Sequence, residues 1–295
     1  MKRGFIAIVF ASLIIITLCS CKGNMDLEHS KTSLITAKET NKREELAYEI
    51  VDYSQYFHNK NGSVVIYNTD DMSYKMYNEK ECNTRYSPCS TFKIVTTLMG
   101  LENNIISSAY SKMSYNGNVY PFDEWNQDLD LQKAFKSSCV WYFKQIVEKV
   151  GSKNTEIFLK DIGYGNCDIS QWEGSNINPL PELNGFWLES SLQISPKEQV
   201  DVLAELLEDG GQVSNNNVEI LKEIMFDQNI KDISIYGKTG TGEQNAWFVG
   251  LAERNKQRVY FAVHLSDTEQ LVSGKDAKEI ALNIISNSDI FLNIP

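Results

Sequence analysis

The chain has 295 residues, of which 42% are hydrophobic, 23% are charged and 11% are aromatic. With only 6 prolines and 17 glycines, this composition is typical of a folded globular protein and excludes a disordered or collagen-like chain. The 28 basic and 39 acidic residues give a formal net charge of -11, which argues against nucleic-acid binding and means that an anionic ligand needs a local positive site.

The first residues predict an export signal that ends at a lipidation site. Lys2 and Arg3 precede an apolar run from Phe5 to Leu18, which is too short to cross a bilayer comfortably. An uncleaved membrane anchor is the alternative. The Leu-x-Ser-Cys ending resembles the lipobox of bacterial lipoproteins. This resemblance implies cleavage before Cys21, a lipid on its thiol, and attachment to the extracytoplasmic face of the bacterial cell membrane.

Residues 22–45 are predicted to form a tether. This stretch mixes basic and acidic residues, contains no aromatic residue and shows no sustained apolar stripe, so it has little with which to build a packed core. Regular spacing of aromatic and aliphatic residues begins near Leu46. We therefore divide the chain into a signal peptide at 1–20, a lipidated tether at 21–45 and one folded domain at 46–295.

Neither the cysteines nor the histidines form a recognisable metal or catalytic cluster. The four cysteines of the folded part are Cys82, Cys89, Cys139 and Cys167. Their spacing fits no zinc pattern. Disulfides are possible in an exported protein, so their pairing stays open, but buried thiols are favoured at positions 89 and 139. The three histidines are His29, His58 and His264. Because they are widely separated in the sequence, they argue against a metal site and against a Ser-His-Asp arrangement.

Apolar patterning places strands at both ends of the folded part and helices between them. The predicted strands are Ser63 to Asn68, Ser73 to Tyr77, Ile233 to Tyr236, Ala246 to Glu253 and Val259 to Ser266. The predicted helices are Ser90 to Glu102, Val140 to Val150, Pro196 to Glu208, Val218 to Phe226 and Lys275 to Ser286. This order predicts an α+β fold in which both chain ends build one antiparallel sheet and a mostly helical lobe is inserted between them.

The first chemical signal is the segment SPCSTFK at residues 87–93. Ser87 is predicted to cap a helix whose first turn contains Pro88. Ser90 and Lys93 are three residues apart, so they share a face of that helix. A lysine that burial keeps uncharged can remove the proton of a neighbouring serine, although its ordinary pKa is about 10.4. Taken alone, the same spacing also suits an ordinary helix start with an exposed lysine.

Three further segments strengthen the chemical interpretation. A second serine, Ser138, precedes the predicted helix that begins at Val140. The segment KTGTG at 238–242 lies between two predicted strands. On an edge strand, Lys238 with the neighbouring hydroxyls and glycines would form a cationic binding site for a carboxylate. The segments YGN at 164–166 and FWLE at 186–189 lie between these two motifs. Each of them alone would be an ordinary turn or core segment.

In this order and spacing the segments resemble the penicillin-interacting serine enzymes and, within them, the class D β-lactamases. Class D is indicated because the second motif is Ser-x-Val rather than Ser-Asp-Asn, and because both YGN and FWLE are present. The resemblance covers roughly residues 53–285. It implies the serine β-lactamase and DD-peptidase fold, with an antiparallel sheet flanked by helices and a mostly helical lobe.

The resemblance also implies a catalytic role for several residues. Ser90 would be the nucleophile that opens the β-lactam amide to an acyl-enzyme. Lys93, carboxylated by carbon dioxide, would be the general base, and Trp187 would donate its indole N–H to the carbamate. Ser138 would relay a proton to the leaving nitrogen. No diffusible cofactor and no metal are expected.

A second group of residues is implied in substrate binding. Lys238, together with two threonine hydroxyls, would hold the substrate carboxylate, and apolar side chains would form the walls of the site. The residues expected to bind substrate besides Lys238 are Val140, Thr239, Gly240, Thr241 and Phe92. The backbone N–H groups of Ser90 and Thr241 would form the oxyanion hole.

Two features depart from the family pattern. Many class D enzymes have an arginine near the start of the last helix, but no arginine follows Arg258 here, and Lys275 lies in that stretch. A lysine would substitute only as a less specific point charge, so the substrate spectrum stays open. The connection between YGN and FWLE is longer than expected for the shorter members, and Trp172 within it is interpreted as structural.

Two alternatives to β-lactam hydrolysis remain. The extracellular sensor domains of β-lactam-responsive transducers share these motifs but stay acylated, and peptidoglycan DD-peptidases belong to the same superfamily. A sensor needs transmembrane helices and a cytoplasmic effector, whereas the sequence predicts a lipoprotein-type signal ahead of one domain. Hydrolysis of β-lactams is therefore the favoured prediction.

Overall fold

A seven-stranded sheet forms the centre of the computed structural model, which describes residues 48–208 and 211–291. The strands, in chain order, are β1 (Tyr48–Ile50), β2 (Gly62–Asn68), β3 (Ser73–Tyr77), β4 (Lys112–Met113), β5 (Leu129–Asp130), β6 (Phe226–Ile230), β7 (Ile233–Thr241), β8 (Asn245–Arg254) and β9 (Gln257–Ser266). The order across the main sheet is β1-β3-β2-β9-β8-β7-β6, and β4 pairs separately with β5. Within the described sheet, β1 and β3 are parallel and the other neighbours are antiparallel.

The two ends of the folded part meet along β2 and β9. Val65 on β2 lies opposite Ala262 on β9, and the pairing continues over the whole length of β2. The predicted α+β fold, with a sheet assembled from both chain ends, is confirmed. The meander β7-β8-β9 follows the predicted order of the three C-terminal strands.

Both faces of the sheet are covered, which explains why β8 and β9 are almost continuously apolar. The eight α-helices of the described residues are α1 (Glu79–Cys82), α2 (Lys93–Glu102), α3 (Leu131–Lys136), α4 (Val140–Val150), α5 (Ser152–Asp161), α6 (Pro196–Leu207), α7 (Asn215–Met225) and α8 (Gly274–Asn287). Along β8 the side chains alternate: Phe248 packs in the cluster of α8, and Trp247 and Val249 pack in the larger cluster of α2, α4 and α6.

The structure corrects several predicted boundaries. The helix expected from Ser90 begins at Lys93, because Cys89–Phe92 form a turn of 3₁₀ helix. The helix expected at 218–226 spans 215–225, and Phe226 opens the unpredicted strand β6. Strand β7 continues to Thr241, so Lys238 lies within a strand and does not follow one.

The expected edge position of Lys238 holds only locally. Strand β6 is the edge of the sheet, so β7 as a whole is an internal strand. However, β6 pairs with β7 only over the four residues 233–236. The remaining half of β7, which includes Lys238, has β8 as its one strand neighbour within the described residues.

Some predictions concern segments outside the described residues. The signal peptide, Cys21 and the tether lie there, and their assignment stays a prediction. Within the described ranges, no helix is both long and apolar enough to cross a membrane. The four cysteines of these ranges are free thiols, and Cys89 and Cys139 are both buried, as expected.

Candidate active site

The candidate nucleophile lies where the 3₁₀ turn passes into α2. Ser90 is partly exposed within this turn, and Lys93 is the first residue of the helix that follows. The Lys93 Nζ atom donates a hydrogen bond of 2.7 Å to the Ser90 Oγ atom. The side chains of Ser90 and Lys93, which the sequence spacing places on one helix face, are therefore in direct contact. Their separation suits proton transfer.

Burial changes the acid–base behaviour of Lys93. Only 1% of the residue is exposed, and its Nζ atom lies 5.5 Å from the centre of the Phe143 ring. Desolvation disfavours the charged form and lowers the pKa of Lys93 to about 8. An appreciable fraction of this amine is therefore uncharged near neutral pH. The uncharged amine can accept a proton as a base or react with carbon dioxide.

A cluster of aromatic rings surrounds the start of α2. The Phe92 ring is fully buried and contacts the rings of Tyr164, Phe186 and Trp187 at centroid distances of 5.5, 5.4 and 5.7 Å. The indole N–H of Trp187 is buried and has no hydrogen-bond partner among the described residues. Because a buried donor without a partner is costly, this N–H fits an additional acceptor, such as a carbamate on the neighbouring lysine.

The KTG segment of β7 packs directly on the nucleophile turn. A Cβ atom at Gly240 would lie 3.1 Å from the Pro88 carbonyl oxygen and 3.4 Å from the Ser90 backbone nitrogen. Glycine at this position therefore lets the strand approach the turn closely. On the other side, Thr241 Oγ1 accepts a hydrogen bond of 2.9 Å from the backbone N–H of Gly274, the first residue of α8.

Lys238 is buried beside this contact. It is 4% exposed, its Nζ atom donates to the Thr239 carbonyl oxygen at 3.0 Å, and it lies 5.7 Å from the centre of the Phe135 ring. Burial lowers its pKa well below the ordinary value, and the positive charges of Lys93 and Lys136 act in the same direction. An anion at this position would offset that repulsion, so the lysine is suited to a carboxylate ligand.

Ser138 and Val140 lie at the start of α4. Ser138 is partly exposed and has a left-handed backbone conformation with φ 57°, and it directly precedes the N-cap residue Cys139. Val140 lines a cavity of about 300 Å³ together with Thr241 and Cys89. Neither Ser90 nor Phe92 lines this cavity, and the Phe92 ring packs instead in the aromatic cluster.

The cavity next to the nucleophile turn is mainly apolar and is bordered by two loops. The described residues that line it, besides Cys89, Val140 and Thr241, are Pro121, Phe122, Trp125, Ser175, Ile177, Asn178, Leu183, Asn184, Leu188 and Glu189. Lys275 is exposed on α8 and does not line it. The arrangement can hold an anionic group near Lys238 and an apolar substituent in the cavity.

The sequence does not reveal that Ser87 links its own motif to the FWLE segment and to the start of β8. Its Oγ atom donates to the Trp187 carbonyl oxygen and accepts from the Glu189 backbone N–H, both at 2.9 Å. Its carbonyl oxygen accepts from Asn245 Nδ2 at 3.0 Å and from Trp247 Nε1 at 2.9 Å. The predicted helix cap is wrong, because this hydroxyl fastens the FWLE segment to the nucleophile turn.

Asn245 is a second residue that the sequence reasoning missed. It begins β8, its carbonyl oxygen accepts from the Gly242 N–H at 2.7 Å, and its Oδ1 atom lies 3.0 Å from His264 Nε2. His264 is fully buried between the rings of Tyr86 and Trp247, and burial lowers its pKa to about 3. A polar residue at the start of an apolar strand was the available signal.

Comparison with known proteins defines the class of the chain. Residues 56–286 match the family described as "Penicillin binding protein transpeptidase domain". The chain therefore belongs to this family, within the penicillin-interacting serine enzymes, and the resemblance stated for the motifs is confirmed. In the described residues, no group of three or more His, Cys, Asp or Glu side chains could hold a metal ion.

The similar proteins include both receptors and enzymes. The chain is 36% identical over 248 residues to the regulatory protein BlaR1 of Staphylococcus aureus, covering 82% of this chain but only 40% of BlaR1. The structure of the C-terminal domain of the Bacillus licheniformis BlaR penicillin-receptor has a TM-score of 0.75 at 34% identity, with 84% of this chain and 99% of that domain covered. A class D β-lactamase of Bacillus subtilis has a TM-score of 0.73 at 28% identity, with coverages of 82% and 98%.

Proposed function

We propose that this protein hydrolyses β-lactam antibiotics through an acyl-enzyme on Ser90. The hydrogen bond of 2.7 Å between the buried Lys93 Nζ atom and the Ser90 Oγ atom carries this proposal. A serine hydroxyl is a weak nucleophile until a base accepts its proton, and burial of Lys93 brings its pKa to about 8. The pair thus has the contact and the acid–base range that acyl transfer needs.

In the proposed acylation, Ser90 Oγ attacks the lactam carbonyl carbon. The new ester bond forms, the lactam C–N bond breaks, and the hydroxyl proton reaches the ring nitrogen through Lys93 and Ser138. The backbone N–H groups of Ser90 and Thr241 stabilise the oxyanion, at about 2.7 to 4 kcal/mol for each donor. Water then cleaves the ester and releases the opened antibiotic.

Hydrolysis of the acyl-enzyme needs a base, and we therefore propose that carbon dioxide carboxylates Lys93. A carbamate on this nitrogen supplies an anionic base at neutral pH, which a lysine otherwise does not provide. The unpaired indole N–H of Trp187 supports this proposal, because it provides a donor at the aromatic cluster beside Lys93. Phe92 and Phe143 exclude water from the amine and keep part of it uncharged.

Substrate binding is proposed to centre on β7. Lys238 would pair with the carboxylate that β-lactam antibiotics carry, and the hydroxyls of Thr239 and Thr241 would donate to it, with Gly240 allowing close approach. Val140 would contact the substrate in the apolar cavity. Phe92 would act as a wall for Lys93, and Lys275 would add only long-range attraction from the exposed start of α8.

The alternative is a β-lactam receptor that stays acylated. It is favoured by the identity of 34% to the BlaR penicillin-receptor domain, compared with 28% to the class D β-lactamase in the same kind of structural alignment. The chain spans about two-fifths of the length of BlaR1, so the activity of that whole protein is not transferred. A peptidoglycan DD-peptidase is a third possibility within the family.

A turnover assay separates these functions. The full chain, purified in detergent, is mixed with a chromogenic cephalosporin, and product is followed by absorbance while the acyl-enzyme is followed by intact mass. Many product molecules for each protein molecule are expected, with none from Ser90→Ala. One equivalent of product with a persistent mass increase would instead establish the receptor, and release of D-alanine from a peptidoglycan peptide would indicate the peptidase.

The location of the protein is part of the same proposal. We infer that Cys21 carries a lipid that holds the folded domain at the extracytoplasmic face of the cell membrane, where β-lactams arrive. The support is the order of a cationic start, a short apolar run and a Leu-x-Ser-Cys ending in the sequence.

A further inference from the structure

The long connection between the YGN and FWLE segments forms one wall of the apolar cavity. It contributes Ile177, Asn178 and Leu183, whereas Phe122 and Trp125 of the loop before β5 lie on the other wall. These two walls come from segments more than fifty residues apart in the chain, so the width of the cavity depends on what holds them together.

A glutamate of the connection bonds the opposite loop directly. The Glu182 Oε1 atom accepts hydrogen bonds from Asn116 Nδ2 at 2.6 Å and from Asn118 Nδ2 at 2.7 Å. Its second oxygen, Oε2, is buried and has no partner among the described residues. Because an ionised acceptor makes stronger hydrogen bonds than a neutral one, this pair of contacts is a strong link between the walls.

The loop that Glu182 contacts is itself ordered by internal bonds. Asn116 Oδ1 accepts from the Tyr120 hydroxyl and from the Asn118 backbone N–H, both at 3.0 Å. Tyr120 stacks on Trp141 of α4 at a centroid distance of 6.3 Å. A displacement of Asn116 or Asn118 would therefore be transmitted along the loop to Phe122.

The connection has a separate anchor on the helical lobe. Glu173 pairs at 2.9 Å with Lys144, which is buried on α4, and Trp172 stacks on Phe186 at a centroid distance of 5.2 Å. These contacts fix the base of the connection but do not reach the loop at 116–122. Among the side-chain hydrogen bonds of the described residues, those of Glu182 join the two walls.

We propose that Glu182 is a positioning residue that sets substrate specificity. By joining the walls, it holds the cavity at the width that receives an apolar acyl side chain of a β-lactam bound at Ser90, and so this inference rests on the proposed acylation. The cavity of about 300 Å³ has room for an aromatic ring, since a cavity of roughly 150 Å³ accommodates benzene. Without the link, the walls separate and lose contact with that ring.

The test compares two substrates that differ in the acyl side chain. Second-order rate constants for acylation are measured by intact mass with benzylpenicillin, which carries an aromatic side chain, and with 6-aminopenicillanic acid, which carries none. Glu182→Ala is expected to lower the ratio of these constants on the order of tenfold, mainly by slowing benzylpenicillin. Glu182→Gln, which keeps an acceptor oxygen, is expected to recover most of the ratio.

Glu124→Ala is the matched control, because it removes the same charge from the loop of Phe122 and Trp125, at an exposed residue that does not line the cavity. It is expected to leave the ratio unchanged. An equal loss with both substrates in Glu182→Ala, or no loss with either, would overturn the proposal.

Amide hydrogen exchange separates this proposal from the proposed function. Glu182→Ala is expected to speed exchange in residues 114–122 and 175–184, with no such change in Glu124→Ala. If the wild-type chain is not acylated by either compound, the proposed function fails. Unchanged exchange in Glu182→Ala would reject the link between the walls whatever the chemistry at Ser90.

Discussion

Burial determines the chemistry at Lys93. The Lys93 Nζ atom lies 2.7 Å from the Oγ atom of Ser90, the proposed nucleophile, and near the Phe143 ring, with 1% of the residue exposed. A lysine in water would be protonated at neutral pH and could only donate to Ser90. Removing the amine from water lowers its pKa to about 8 and gives the same side chain a second, uncharged form.

The first prediction concerns the pH dependence of Lys93 carboxylation. Only the uncharged amine reacts with carbon dioxide, and its fraction rises from about one-tenth at pH 7 to about nine-tenths at pH 9 when the pKa is about 8. At constant dissolved carbon dioxide, the initial rate of carbamate formation is therefore expected to rise with pH through about 8 and then level off. The protein is first depleted of carbon dioxide, and carbon-13 NMR measures this rate after labelled carbon dioxide is added.

Two variants assign the carbon-13 signal to its nitrogen. It should be absent from Lys93→Gln and persist in Lys238→Gln, since both lysines are buried and either amine could in principle react. A rate that is independent of pH, or a signal that survives in Lys93→Gln, contradicts the proposed base.

The second prediction tests the indole N–H of Trp187. Trp187→Phe keeps an aromatic ring against Phe92 but removes the unpaired donor. Loss of a hydrogen bond to a charged group is expected to raise the bicarbonate concentration that half-carboxylates the protein by about 10- to 100-fold. Bicarbonate titration followed by carbon-13 NMR measures this concentration, and Trp172→Phe, which changes a ring stacked on Phe186, serves as the control. Equal effects of the two variants would show that only packing was disturbed.

At the scale of elements, the site depends on contacts between segments that are distant in the chain. The 3₁₀ turn, the FWLE segment and the start of β8 meet at Ser87, whose bonded partners are about 100 and 158 residues away. The KTG half of β7 extends beyond its pairing with β6, which leaves that side of the strand without a strand neighbour among the described residues. The nucleophile turn and the FWLE segment are thus held together by tertiary contacts rather than by a shared helix or strand.

The third prediction is that Ser87→Ala loosens this junction. The change leaves the partly buried Glu189 N–H without its hydroxyl acceptor and removes one donor from the Trp187 carbonyl oxygen. The free energy of unfolding is expected to fall by about 1 to 3 kcal/mol, as measured by urea denaturation. Thr155→Val is the control, because its hydroxyl is buried without a partner and its loss should not destabilise the fold. An equal decrease for the two variants would be inconsistent with a specific role of Ser87.

The elements that the sequence predicted well are those with clear periodicity. The apolar strands β8 and β9 and the amphipathic helices α4, α6 and α8 lie within one or two residues of their expected bounds. Strand β6 was missed because Phe226–Ile230 is mostly polar, and the extension of β7 because its threonines and glycines resemble a turn. The pairing of Ser90 with Lys93 followed from local spacing, whereas the role of Ser87 depends on tertiary contacts that no local pattern encodes.

At the scale of the whole molecule, the negative net charge is compatible with binding of an anion at Lys238. The net charge of -11 is that of the whole chain, whereas Lys238 is buried within the fold. A carboxylate-bearing antibiotic would meet little long-range attraction, because surface charges are screened over about 8 Å at physiological ionic strength. The proposed binding of the antibiotic would therefore depend on short-range contacts at β7. It would also benefit from a high local concentration of the protein at the membrane, where the antibiotic enters.

The last prediction concerns that location. A diacylglyceryl group on Cys21 would carry two acyl chains, and two chains anchor a protein stably where one gives only marginal binding. Cys21→Ala is therefore expected to move the protein out of the membrane fraction or to leave the signal peptide uncleaved, as measured by cell fractionation and intact mass. Cys19→Ala, which alters a cysteine before the predicted cleavage point, should behave as wild type. Unchanged membrane association and mass in Cys21→Ala would place the anchor elsewhere in the chain. Loss of membrane association in Cys21→Ala alone would support a folded domain at the end of a lipidated tether, where it would meet the incoming antibiotic.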